Sequence, residues 1–573
     1  MLSFNQLKRN LKKDFNTFKK IRVSILAEDS SQLLVQAIKG YGFELGYNIE
    51  INECGYNEVN LQVFEPNSQL HSFPSDFVVI VPSTQKLLKK FYSRSHAERI
   101  TFADGHLLYI ESLTQTLDER SDAKIIFCNF LEINDGVFGN YSSKVEASFL
   151  FQLRKINFEL MRLAQKTPNV FINDLLSLQI QFGTPFIIDN KFYVNSDITF
   201  SIDFLPHVAK NLLDVVKSVD GKIKKCLILD LDNTLWGGVI GDDGVEGIQI
   251  GDLGVGKAFT ELQLWAKQLK ERGIILAVCS KNTDDIAKEP FNIHPDMILK
   301  LDDIAVFVAN WENKVDNIKH IQSVLNIGFD SMVFVDDNPF ERNLVAENIE
   351  GITVPDMPED PADYLSFLRS LNLFETASFT EGDSVRTNQY QDEAKRIVYR
   401  KHFANEGEYL SGLTMVAKIE GFNKFNIPRI SQLTQRSNQF NLRAKRYTEK
   451  EIEKFSNSEK HVCLLFALND KFGDHGLIAV VIGELKSSNE LFIDTWLMSC
   501  RVLKRGMEGF VLNRIVGRAK QLCCKKVIGE YIPTSKNNIV ANHYKDLGFE
   551  KAGEYWELDV ESFEEHKMYI DKE

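Results

Sequence analysis

CLILDLDNTLWGG, residues 226–238, runs from an apolar strand into two aspartates two residues apart, Asp230 and Asp232, and then into a polar, glycine-rich loop. At the carboxyl end of a parallel strand, such acids enter the crevice where α/β proteins bind their ligands. Side chains alternate across a strand, which would send the two acids to opposite faces. The backbone must therefore bend after Asp230 for both to reach one site. Working outward, ILAVCS is a second apolar strand, ending at Ser280. NWENKVDNI supplies Lys314 at the start of a helix, and MVFVDDNPF is a further apolar strand, ending in Asp336 and Asp337. Each element alone has an ordinary reading: a turn aspartate, a helix N-cap at Ser280, a solvated Lys314. Together, carboxylate, hydroxyl, ammonium and paired carboxylates at strand ends and a helix start form one coherent chemical set.

That set suits phosphoryl transfer. Mg2+ takes oxygen ligands in octahedral geometry. Asp230, Asp232, Asp336 and Asp337 are the expected metal residues, with Asp232 contributing its backbone carbonyl. A carboxylate nucleophile, Asp230, divides the reaction into two easier steps through an aspartyl phosphate. Lys314 and the Ser280 hydroxyl would screen and position the phosphoryl oxygens, and Asp232 would protonate the leaving group and later activate water. About fifty residues separate Asp230 from Ser280. A hairpin flap and one helix nearly fill that interval, which leaves no room for a separate lid domain. The glycine-rich stretch 237–256 is the candidate flap. An uncapped site suits a large substrate, or needs a neighbouring domain to exclude water.

The flanking chain divides into blocks. Residues 1–220 alternate buried-type strands (Ile21–Leu26, Phe77–Val81, Lys124–Cys128) with helices such as Ser31–Tyr41 and Lys144–Gln165, a pattern that predicts a parallel α/β sheet. Residues 221–373 alternate again, with strands Cys226–Leu229, Ile274–Cys279 and Met332–Val335. A helix carrying Phe259, Leu262, Ala266 and Leu269 on one face is stopped by Gly273. Pro355, Pro358 and Pro361 mark the next boundary. Residues 374–573 open with polar helices and continue as an α+β domain.

The 573 residues are 44% hydrophobic and 26% charged, an ordinary globular composition. A net charge of −13 argues against a nucleic-acid partner, which would need a basic face. No run of about 18 apolar residues occurs, so no membrane span is expected. The basic N-terminus carries Leu7, Leu11, Phe15 and Phe18 at helical spacing and reads as an amphipathic helix docked on its own domain. A membrane-surface or partner role is the alternative. The eight cysteines are scattered in apolar runs, which is reduced-thiol usage and points to a cytoplasmic protein.

The four elements, in order, resemble the four motifs of haloacid dehalogenase (HAD)-type phosphatases. LDLDNTLWGGVIGDDG, LAVCSKN, NWENK and FVDDNPFER further resemble subfamily IIIC, specifically the FkbH-like proteins, as do LTQRSNQFNLRAKRYT (433–448) and SCRVLKRGMEG (499–509). The resemblance implies Asp230 as nucleophile, Asp232 as general acid/base, Ser280 and Lys314 on phosphate, and Asp336 with Asp337 at the metal. It also implies a small phosphorylated substrate, an acyl phosphate or phosphoglyceryl unit. Some members of the family load a glyceryl group onto an acyl carrier protein with loss of phosphate, so a glyceryl or acyl transferase with a carrier partner is the alternative function. A scaffold with vestigial sites is a weaker one. A covalent acyl stop would need a thiol, for which Cys279 is the candidate; simple buried packing is the ordinary reading.

ANHYKDLGF (541–549) resembles the end of GNAT-type acyltransferases. By that resemblance Arg501, Arg505 and Gly506 would cradle the pyrophosphate of coenzyme A, or of a phosphopantetheine arm, and Tyr544 would protonate its thiolate. Lys504 stands where the motif has its first glycine and would obstruct close backbone approach. A domain that only reads pantetheine is the alternative. His475 would either line that cleft or sit in a turn. The first block resembles a degenerate SGNH-hydrolase-like domain. Ser30 or Ser31, Asp203 and His207 are its residual triad candidates, without the usual Gly-Asp-Ser context.

Overall fold

The first apolar runs become neighbouring strands. β1 (Lys19–Ala27), β2 (Tyr47–Glu53), β3 (Phe77–Val81), β4 (Lys124–Cys128) and β5 (Val170–Asn173) form a wholly parallel sheet in the order β2-β1-β3-β4-β5. This is the flavodoxin-like order of doubly wound proteins. In the computed structural model, residues 1–573 are described except Glu381, Gly382, Ser384, Val385, Ser488 and Ser535, and except the side chains of Ala394, Ile397, Val398 and Cys500. Two compact units result, Met1–Lys217 and Ser218–Glu573.

In the first unit the amphipathic N-terminus is helical only over Phe4–Asn10. Leu7 is fully buried, and a Cβ on Gly40 would come within 2.3 Å of the Leu7 carbonyl, so the helix docks where only glycine fits. Phe15 and Phe18 leave the helix and pack on Phe43, ring centroids 5.3 Å apart in each case. Contact among the aromatic rings, not continued helix, satisfies the apolar periodicity.

The second unit holds two sheets. β6 (Cys226–Leu229), β7 (Ile275–Ser280), β8 (Ile304–Ala309) and β9 (Met332–Val335) are parallel in the order β8-β7-β6-β9. β8, read from the run IAVFVA, is a strand that the sequence reading does not assign. Helices Gly256–Glu271, Asp284–Ile293, Lys314–Leu325 and Pro339–Asn348 connect and cover the sheet. Gly273, in the left-handed region at φ 89°, follows the first of them as expected. Leu229 pairs with both Val278 and Val335, so Asp230 and Asp336 emerge side by side.

The last sheet comprises β10 (Met415–Glu420), β11 (His461–Asp470), β12 (Gly473–Ser487), β13 (Glu490–Met498), β14 (Lys526–Glu530), β15 (Glu550–Ala552), β16 (Tyr555–Asp559) and β17 (Ile570–Lys572). β10 to β13 are antiparallel. β13 and β14 are parallel, connected across the helix Met507–Gln521, and pair only over Glu490–Phe492. Beyond that the strands part, within the α+β domain expected from the sequence. The segment Phe440–Leu442 fills the gap: Met498 N–H donates to the Phe440 carbonyl at 3.1 Å, Leu442 N–H to Trp496 at 3.3 Å, and Ile532 N–H to Leu442 at 2.9 Å. Among the described residues no helix is long and apolar enough to cross a membrane.

Candidate active site

Three apolar strand ends and one helix start converge. Asp230 follows β6, Ser280 ends β7, Asp336 and Asp337 follow β9, and Lys314 opens its helix behind the N-cap Asn313, whose side chain accepts from Val315 N–H at 2.8 Å. The bend required after Asp230 is present. The Leu231 carbonyl accepts from Thr234 and Leu235 N–H at 3.1 and 2.7 Å, and Asn233 adopts the left-handed region at φ 54°, which asparagine tolerates better than most residues.

Lys314 is 3% exposed and lies between two acids, its Nζ 3.0 Å from Asp230 Oδ1 and 2.6 Å from Asp336 Oδ2. Burial opposes its charge, but the two carboxylates outweigh burial and hold the ammonium above its ordinary range. Burial acts in the opposite sense on the acids. It pushes Asp230 up to about 6 against the pull of Lys314, with Asp336 adding to the rise. Asp337 is likewise pushed up to about 6, by burial and then by Asp230, and Asp336 is raised for the same first reason. These are acids held close together in a low-dielectric pocket with one cation among them.

Oxygen atoms of Asp230, Asp336 and Asp337 lie within 4.8 Å of one another. Asp230 Oδ1 is buried and, although close to Lys314, is not aligned for a hydrogen bond. An all-carboxylate donor set with an unsatisfied oxygen fits a hard divalent cation and not a thiolate-bound metal. The Asp336–Asp337 turn is fixed from below: Arg342 donates to both carbonyls, at 3.1 and 2.6 Å, and Thr234 Oγ1 accepts from Asp337 N–H at 3.1 Å.

The Asp232 carboxylate stands apart from that cluster. Its Oδ1 accepts from Trp236 Nε1 at 2.9 Å and from Ile240 N–H at 3.0 Å, and its Oδ2 accepts from Asn282 Nδ2 at 2.9 Å. As a side-chain metal ligand it is therefore not assembled with Asp230, Asp336 and Asp337. Asn282 also donates to Ser280 Oγ at 3.2 Å, which links two of the predicted residues. Sequence reasoning missed Asn282, although it lies two residues beyond Ser280. The flap is tied at its base by reciprocal Gly237–Gln249 backbone bonds of 3.0 and 2.8 Å. The flap holds the short helix Ile240–Gly247, and after it the helix Gly256–Glu271 leads to β7.

Cys279 is fully buried among Cys226, Ile228, Ala277 and Phe334, and burial pushes its thiol up to about 12. Both fit the packing reading of Cys279.

The C-terminal candidates do not form a cradle. Arg505 is 4% exposed and pairs with Glu393 and with Asp470, whose carboxylate also receives Arg396 in two bonds of 2.7 Å and His475 at 3.0 Å. His475 thus belongs to a buried ion network and not to a cleft. Arg501 bonds Gln389, the Ser499 hydroxyl and the His475 carbonyl. Gly506 is left-handed at φ 78°, but Lys504 is too, at φ 61°, and its N–H is taken by Glu508 at 3.1 Å. Tyr544 is buried, its hydroxyl without a hydrogen-bond partner among the described residues, and it packs against Trp496 and Phe549. The sequence could see cations beside a helix start, but not the distant acids that claim them.

In the first unit the Ser31 hydroxyl donates to Glu53 at 2.7 Å, Asp203 is exposed, and His207 packs among Phe182, Phe186 and Phe204. Among the described residues no hydrogen bond joins Ser30 or Ser31 to His207.

The strand order and the acid–lysine cluster define a phosphatase domain of haloacid dehalogenase type. The N-terminal part of the protein BF1531 from Bacteroides fragilis, described as containing a phosphatase domain and complexed with Mg, is 51% identical. The match covers 66% of this chain and all of that one, with a TM-score of 0.64. The family model "FkbH, N-terminal domain" matches residues 22–217. The chain belongs to the FkbH-like family. Two further solved structures match about a quarter of the chain. The ribosomal-protein-S18-alanine N-acetyltransferase of Escherichia coli is 14% identical (TM-score 0.21; 27% of this chain, 99% of that one). The spermidine N-acetyltransferase of Vibrio cholerae is 13% identical (TM-score 0.21; 25% of this chain, 96% of that one). No curated protein matches the chain.

Proposed function

We propose that this protein is a Mg2+-dependent phosphoryl-transfer enzyme that works through an aspartyl phosphate on Asp230, with an acyl phosphate or phosphoglyceryl unit as substrate. The observation that carries this reading is the placement of Asp230, Asp336 and Asp337 around Lys314. Asp230, Asp336, Asp337 and the Asp232 carbonyl would hold the ion, which when bound supplies charge neutralisation at the phosphoryl oxygens. Asp230 attacks phosphorus as the bond to the leaving oxygen breaks; a glyceryl leaving oxygen takes its proton from the Asp232 carboxyl, whereas the carboxylate of an acyl phosphate leaves unprotonated. Lys314 and Ser280 hold the phosphoryl oxygens, and Asp232 then takes a proton from the water that releases phosphate. The test is phosphate release from a panel of phosphoglycerates and acyl phosphates with magnesium and with chelator. Silence across the panel in both conditions would remove simple hydrolysis.

Asn282 would act as a positioning residue, aiming Asp232 and Ser280. Asn282→Ala is expected to lower kcat by about 10–100-fold, a typical loss for an outer partner of a site. KM should stay within about twofold, because the phosphate-binding groups themselves remain. Equal changes in both constants would make Asn282 a substrate-binding group instead.

Metal binding should compete with protons. Burial raises Asp230 and Asp337 from 3.8 to about 6. Without metal these acids favour the folded chain most below their unfolded values, and that contribution is lost as pH rises through about 6. Magnesium relieves the repulsion and requires both acids ionised. It is expected to raise the thermal midpoint by on the order of 5 °C at pH 8 and by far less at pH 5. Equal shifts at the two pH values would count against this ligand set.

Two exposed aromatic residues support a second reading, transfer of the glyceryl or acyl group to a carrier-protein arm with loss of phosphate. Trp311 is 73% exposed and Phe340 is 68% exposed. They follow β8 and β9 at the same end of the sheet as Asp230 and offer an apolar rim. Phosphate release that depends on an added acyl carrier protein would favour this reading. A coenzyme A or pantetheine site in the last domain has less support, because Phe440–Leu442 takes the open backbone of β13.

A further inference from the structure

At the end of the phosphatase sheet opposite Asp230, a cavity of about 520 Å³ lies between this sheet and the last domain. Lys225, just before β6, Ile275 at the start of β7 and Ser331 just before β9 form one wall. The helix Ile427–Arg436 and Phe440 and Met498 contribute to the other. Its volume is in the range of small-molecule sites, about 300–1,000 Å³.

Arg386, Arg429, Arg436 and Arg501 all line this space. Three of them meet on one carboxylate: Asp383, with its side chain fully buried, lies 2.6 Å from Arg386, 3.3 Å from Arg429 and 2.7 Å from Arg436. Among the described residues one carboxylate balances one guanidinium, which leaves two positive charges beside the cavity. Burial, then mutual repulsion with Arg386, lowers Arg429 to about 10 and Arg436 to about 9. Arg436 donates to Asp383 and to the Ser378 carbonyl, yet among the described residues its buried Nε has no hydrogen-bond partner. The acids on the wall do not compensate: Asp330 is paired with Lys536, and Glu350 is exposed. Arg396 shows the contrast, with Asp470 accepting two of its bonds. Buried charge without a counter-charge is costly. Arginine presents donors in a fork that matches phosphate, and a phosphate monoester carries about −1.5 to −2, close to the uncompensated charge here. Apolar Ile275, Ile327, Leu433 and Met498 would cover an organic body.

We propose that this cavity is a second ligand site, distinct from the Asp230 centre, that binds a small phosphorylated organic anion on Arg429, Arg436 and Arg501.

The test is calorimetric titration of the full-length protein with inorganic pyrophosphate in chelator, where the carboxylate cluster at Asp230, lacking metal, repels the probe. Saturable binding is expected, weakened at least about 10-fold by Arg429→Gln and by Arg436→Gln, since each removes a charge-assisted contact. Arg436 also supports the Ser378 carbonyl, so ligand-free melting of each variant is recorded. If Arg436→Gln does not fold, Arg501→Gln takes its place. No binding at millimolar pyrophosphate, or equal binding by wild type and a folded Arg429→Gln, would overturn the proposal.

Discussion

Replacing Asp230 by asparagine is expected to abolish phosphate release, by at least about 10⁴-fold, while leaving the fold intact. The loss of a nucleophile in a covalent mechanism removes the route and not merely a fraction of its rate. The change is nearly isosteric, and the Asp230 backbone N–H keeps its 3.0 Å bond to Val335. A neutral amide at this position also lessens repulsion among acids that burial already raises, so the variant should melt no lower than wild type in chelator. Acid quenching of a single turnover with labelled acyl phosphate should trap label on the wild-type chain and none on Asp230→Asn. Asp232→Asn should trap more than wild type. A carboxylate leaving group needs no proton, so phosphorylation proceeds, while the water step loses its base. Label retained on Asp230→Asn would assign the nucleophile elsewhere.

What the sequence made legible here follows from what is local. The strand ends carry their chemistry within a few residues of an apolar run, so Asp230, Ser280, Lys314 and Asp336 could be placed before any contact was known. The parallel register then brings Asp230 and Asp336 together through Leu229 and Val335. Asp232 lies two residues beyond Asp230, but its carboxylate turns to Trp236, Ile240 and Asn282, a choice set by the turn geometry and not by spacing. β8 was missed because IAVFVA lies next to the more conspicuous NWENK. Arg501 and Arg505 looked like ligands for phosphate because their partners, Gln389, Glu393 and Asp470, lie in other elements. The arginine cavity was invisible for the same reason. Asp383 meets Arg429 and Arg436 across about fifty residues with no periodic pattern to announce it.

Lys314→Met should have the other large effect, and it separates stability from catalysis. In the folded chain the ammonium is 3% exposed and within 3.0 Å of two carboxylates. Removing one member of a buried ionic set leaves uncompensated charge and costs about 3–5 kcal/mol. Methionine fills much of the lysine volume, so packing loss is small and the electrostatic effect dominates. In chelator the variant is therefore expected to unfold at clearly lower denaturant concentration than wild type. Magnesium should restore much of that difference, because a cation among Asp230, Asp336 and Asp337 replaces the missing positive charge. It should not restore turnover. Lys314 also contacts the phosphoryl group as charge develops, and losing one preorganised donor of that kind lowers kcat by about 10²–10³. A variant as stable as wild type in chelator would mean that Lys314 is not the counter-charge of the acids. One that regained full turnover with magnesium would mean that the lysine holds the carboxylates apart and has no part in the reaction.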